Sequence, residues 1–185
     1  MLLTKCPLAA LHNEIPFAFT EIHKGYKISS KFIRSKRKRI LEKITLFLWE
    51  AMSNNERYAS LWFKQAKFDL DAAKSSKENG NYEWTCFQCQ QSAEKALKAF
   101  LFFNRKRNII THSIRRLIEQ CGIFDRNFFD IRKTKALDQY YIPTRYPNGL
   151  PDEIPHEFYT EEDAELCVEY AQMVIQLIQA KLKNL

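Results

Sequence analysis

The stretch from Thr160 to Leu182 constrains this chain more than any other. Ala164, Cys167, Val168, Ala171, Val174, Ile175, Ile178 and Leu182 recur three and four residues apart, a spacing that sets side chains along one side of an α-helix. A stripe of that length must be covered, so the chain has to supply further helices with apolar sides of their own. Just ahead of it, Thr160-Glu161-Glu162-Asp163 has the form of a capping box, with Asp where Glu or Gln is usual. The 4 glycines and 6 prolines of the 185 residues are too few for the many tight turns of an all-β protein.

Four more helices are expected upstream. Ser53-Asn54-Asn55 offers N-cap chemistry, and Glu56 suits the positive end of a helix dipole. Trp62, Ala66, Leu70 and Ala73 follow at helical spacing until Asn79-Gly80-Asn81, which tolerates the left-handed conformation of a helix end. Tyr82 to Phe103 reads as a second helix, with Cys86, Cys89, Ala93, Ala96, Leu97 and Phe100 as its apolar stripe. Gln90, Gln91, Glu94, Lys95 and Lys98 form its polar flank, Glu94 and Lys98 as an (i, i+4) pair. Thr111 is expected to cap a third helix that carries Ile114, Leu117, Ile118 and Cys121 and ends at Gly122. A fourth runs from Asn127 to Tyr141. Pro143, Pro147, Pro151 and Pro155 then predict a non-helical connection. The fold class is all-α, an up-and-down bundle of four to five helices with a proline-rich loop before the last.

Charge is unevenly placed. Residues 1–50 hold 10 Lys/Arg against 4 Asp/Glu, and residues 51–185 hold 19 against 18. The whole-chain excess therefore says little about the bundle's partners. Residues 1–52 read as a basic extension, poorly structured or partly helical, with Arg34 to Arg39 a solvated tail by default. No period is clear around Pro7 and Pro16. Five cysteines without a secretory leader suggest reduced thiols and a cytoplasmic protein. No apolar run is long enough to span a membrane.

One set of residues carries a family resemblance. Trp62-Phe63-Lys64-Gln65-Ala66-Lys67-Phe68-Asp69-Leu70 opens the first helix. The second holds Gln90-Gln91-Ser92-Ala93-Glu94-Lys95-Ala96, and Thr111-His112 opens the third. Tyr141-Ile142-Pro143-Thr144-Arg145-Tyr146-Pro147 precedes the Tyr159 to Ala164 start of the last. In this order they resemble HEPN domains, most closely the type at the C-terminus of sacsin, and residues 53–185 would form that domain. The resemblance implies a homodimer that binds a nucleotide such as GTP or ATP without catalysis, in a chaperone-related setting. Nucleic acid is a less favoured partner. Arg145, Tyr146 and Tyr141 supply guanidinium donors and aromatic faces for such a ligand, and Lys95 and Lys98 add charge if they face the same groove.

Two rivals remain open. Many HEPN proteins are metal-independent ribonucleases with an Arg followed a few residues later by His, and Arg107-Asn108-Ile109-Ile110-Thr111-His112 has that spacing. The chemistry is coherent, since His moves a proton while Arg stabilises phosphate charge. The string falls between the second and third helices rather than near the last, and Arg145 has no His at that distance. The other rival is a purely structural dimerisation adaptor. Cys86-Phe87-Gln88-Cys89 has a metal-like gap, but no second Cys or His pair stands at suitable spacing, so it reads as core packing. No metal or cofactor is expected.

Overall fold

The computed structural model describes residues 30–182, with side chains of the first helix described at 40, 41, 43 and 44 and again from Asn54. The expectations for residues 1–29 lie outside the described residues. The chain divides into two units, Met1–Ser53 and Asn54–Leu185, and the second holds every site residue singled out above.

In chain order the elements are α1 (Ser30–Glu78), α2 (Tyr82–Phe103), α3 (Ile114–Gly122), a 3₁₀ segment (Arg126–Tyr140), a 3₁₀ turn (Pro147–Gly149), α4 (Pro155–Phe158) and α5 (Glu161–Lys181). No strand occurs among the described residues, and the domain is the all-α bundle expected. α2 lies at its centre, against α5, α3, α4 and the 3₁₀ segment. Ala66, Leu70 and Ala73 of α1 join the same buried core. Small side chains let α1 and α2 approach closely enough for Ser92 Oγ to donate to the Ala66 carbonyl at 2.7 Å. No helix among the described residues is long and apolar enough to cross a membrane.

Both ends of the helical pattern with the strongest local chemistry form as expected. Gly80 has φ +74°; its N–H donates to Lys77 and that of Asn81 to Ser76, the paired bonds of a Schellman motif. At α5 the Asp163 N–H donates to Thr160 Oγ1 at 3.4 Å and the Thr160 N–H to Asp163 Oδ2 at 3.2 Å. Asp is long enough to close the box.

Several expectations need correction. Ser53 does not start a helix, because α1 already runs from Ser30. Asn55 is buried and its Oδ1 accepts from Arg107 Nη2 rather than from a backbone N–H. The cap of α3 is Ser113, whose Oγ accepts from the Arg116 N–H; Thr111 Oγ1 accepts from the Ser113 N–H instead. The fourth helix is 3₁₀, bent at Ile131. Its buried residues Phe128, Ile131, Thr134, Leu137 and Tyr140 stand three apart, and a period of three aligns on one edge of a 3₁₀ helix but fans out around an α-helix. The proline-rich connection, finally, contains helical turns. Pro147 and Pro155 stand at the first positions of theirs, where a missing N–H costs nothing.

Candidate functional site

Glu83, Phe87, Gln90, Glu94 and Lys98 are spaced four, three, four and four residues apart on α2 and share one side of it. Four of the five are polar, yet Glu83, Gln90, Glu94 and Lys98 are all buried. Polar groups removed from water need partners. Glu94 Oε1 accepts from Lys98 Nζ at 2.8 Å and lies 3.1 Å from His112 Nδ1. Gln90 Nε2 donates to the His112 carbonyl at 3.0 Å and to Glu94 Oε2 at 3.2 Å. Three turns of helix away, Glu83 lies 3.2 Å from Nδ1 of His156 on α4. Each carboxylate thus holds a half-exposed imidazole at the surface. Among the described residues, no buried side-chain polar atom lacks a partner.

A chain of aromatic rings runs from the His112 imidazole. The His112 ring stacks on Tyr141 with centroids 5.1 Å apart and planes 14° apart. Tyr141 in turn lies 6.5 Å from Phe87, which meets the edge of Trp84. Arg145 is packed into this array. Its guanidinium carbon lies 4.6 Å from the Phe87 ring centre, 5.0 Å from Tyr141 and 5.3 Å from Tyr146. Its Nε donates to the Tyr141 carbonyl at 3.0 Å, a local bond that fixes the side chain against its own turn. Among the described residues no carboxylate pairs with Arg145. A half-buried guanidinium with rigid packing and no counter-charge suits a planar, multi-oxygen anion.

Of the residues chosen from sequence, Arg145, Tyr141 and Tyr146 come together, and His112 joins them through Tyr141. The two lysines do not bring free charge. Lys95 pairs with Asp69 of α1. Lys98 is committed to Glu94 and lies 5.6 Å from the Trp62 ring centre. Arg107 and His112 are not assembled as a pair. Arg107 bonds to Asn55 and lies over Tyr58, whereas His112 turns to Glu94 and Tyr141. Left-handed Asn108 (φ 55°) lies between them, and the two side chains take different partners. Sequence reasoning missed Phe87, Glu83 and His156, and took Glu94 for an exposed partner of Lys98. The regular four-three-four-four spacing of those α2 residues was the available signal.

The cysteines of the Cys86–Cys89 pair are buried in the core with Cys167. Burial pushes the Cys89 thiol well above its usual range, the opposite of what a nucleophilic or redox thiolate requires.

Comparison with known proteins shows what the chain is similar to. A family model described as the HEPN domain matches residues 59–182. A Methanocaldococcus jannaschii protein named as a candidate toxin, MJ1304, is 33% identical over 139 residues, covering 70% of this chain and 91% of that protein. Human sacsin is 28% identical over 135 residues, 68% of this chain but 3% of sacsin. The crystal structure of TT1696 from Thermus thermophilus superposes with a TM-score of 0.61 at 33% identity, covering 67% of this chain and 98% of that one.

Proposed function

The chain belongs to the HEPN family, and on that premise we propose that its domain is a non-catalytic, dimerising module that binds a nucleotide such as GTP or ATP along the polar side of α2. The observation that carries this reading is the Arg145 guanidinium, held by three rings and one backbone carbonyl and without a carboxylate partner among the described residues. Arg145 would take phosphate oxygens, and the faces of Tyr146 and Trp84, each about half exposed, are available to a base. Self-association is supported by Tyr58, Leu61 and Phe68, large apolar residues of α1 that remain exposed at spacings of three and seven along one side of the helix.

Calorimetry with a panel of nucleotides, beside a mass measurement in solution, tests both parts. A heat of binding that disappears in Arg145→Ala while the protein stays folded supports the ligand claim; no heat with any nucleotide defeats it. A monomeric mass would defeat the dimer claim.

A second reading, a metal-independent ribonuclease, draws on His112, an exposed imidazole oriented by a buried carboxylate. The arginine that shares a partner with His112 is Arg145, through the Tyr141 ring, whereas Arg107 bonds to Asn55. RNA cleavage lost in His112→Ala and in Arg145→Ala, but kept in Arg107→Ala, would favour this reading over the non-catalytic one.

A further inference from the structure

A second group of basic side chains, sharing no residue with the Arg145 site, lies between α3 and the 3₁₀ segment. A notch of about 120 Å³ is lined by Arg115, Ile118 and Glu119 of α3 and by Phe129, Arg132 and Lys135 of the 3₁₀ segment. The local folds explain why these residues meet. Phe129, Arg132 and Lys135 stand three apart, next to the buried Phe128-Ile131-Thr134 edge, and a 3₁₀ turn eclipses side chains at that spacing. Arg132 lies 4.3 Å from the centre of the Phe129 ring, so the row holds across the bend at Ile131. Arg115 and Glu119 are one α-helical turn apart on the facing element. Gly122 lets the two elements close, since a Cβ there would meet Phe129 Cζ at 2.4 Å.

The charges do not cancel. Three cations line the notch against one carboxylate, and none of Arg115, Arg132 and Lys135 forms an ion pair among the described residues. Of the acids nearby in sequence, Asp125 pairs with Lys181, Asp138 accepts from Ser113 and from the Arg115 backbone N–H at the start of α3, and Asp130 is exposed two residues before Arg132. Three like charges against one carboxylate leave a net positive notch, and the arrangement favours an anion that bridges the cations. The notch has room for a phosphate or diphosphate group.

We propose that this notch is a second anion site, separate from the Arg145 site, and that it binds a phosphate or diphosphate group through Arg115, Arg132 and Lys135. Glu119 also lines the notch and opposes binding. Whether the group is free or the end of a larger molecule is read by titrating inorganic pyrophosphate and AMP in parallel.

The test is calorimetry on the full chain at constant ionic strength, with sodium chloride as the reference salt. Pyrophosphate is expected to bind the native protein and Arg145→Ala alike, and to bind Arg132→Gln/Lys135→Gln at least about tenfold more weakly. Glu119→Gln removes the opposing charge and should tighten binding by about threefold, a gain that a damaged fold would not produce. Pyrophosphate behaving like chloride, undiminished binding in the double variant, or loss of binding in Arg145→Ala would each overturn the proposal. AMP equal to pyrophosphate would identify a terminal phosphate as sufficient, whereas AMP without effect would confine the site to free diphosphate.

Discussion

On one side of α2, Cys86, Cys89, Ala93, Leu97 and Phe100 pack against the core; on the adjoining side Glu83, Gln90, Glu94 and Lys98 are almost as deeply buried. The apolar side needs only shape and volume, and loses stability by the cavity that a truncation leaves. The polar side needs a closed set of partners, because each charge taken from water must find its complement. One helix therefore carries a scaffold on one side and, on the other, a network that fixes two imidazoles at the surface.

The sharpest way to break this comparison is to remove one charge from the buried pair. Glu94→Leu strands the Lys98 ammonium and should cost about 3–5 kcal/mol in chemical denaturation. Glu94→Leu/Lys98→Met should recover most of that loss, which a cavity on the apolar side would never do. Leu97→Ala on that side should cost about 3 kcal/mol, with no comparable rescue from a second change. Arg145→Ala should lower stability by less than about 1 kcal/mol, while abolishing nucleotide binding at the Arg145 site; a large stability loss would make the residue a strut for the loop.

A smaller effect is expected in alkali. Burial pushes Tyr159 up to about 12 and Tyr140 further in the same direction. Phenols whose folded-state values are raised contribute stability fully below their ordinary value near 10, and that contribution is lost as pH rises through the folded-state value. Denaturation midpoints should therefore begin to fall above about pH 10; an unchanged midpoint through pH 12 would contradict it.

The two sides of α2 were not equally legible. Apolar period alone gave the bounds of α2 and the core stripe of α5, because burial of carbon leaves a direct trace in composition. The capping box at Thr160 and the stop at Gly80 were legible for the same reason: the chemistry is local. Glu94 and Lys98 look the same in sequence whether they face water or the core, and only the positions of Trp62 and His112 decide. Arg107 and His112 show the converse, a spacing with a chemical meaning whose two side chains bond to Asn55 and Glu94 respectively. In the 3₁₀ segment the period of three was present in Phe128, Ile131, Thr134, Leu137 and Tyr140 but was read against an α-helical template.

If Arg145 and His112, joined through the Tyr141 ring, serve one bound anion, the imidazole must sense what the guanidinium holds. Following the His112 imidazole resonances by NMR during titration with ATP and GTP tests this most directly. At least one nucleotide should shift them in the native protein, and neither should do so in Arg145→Ala. Resonances unmoved by both nucleotides in the native protein, or shifted equally in the variant, would contradict it.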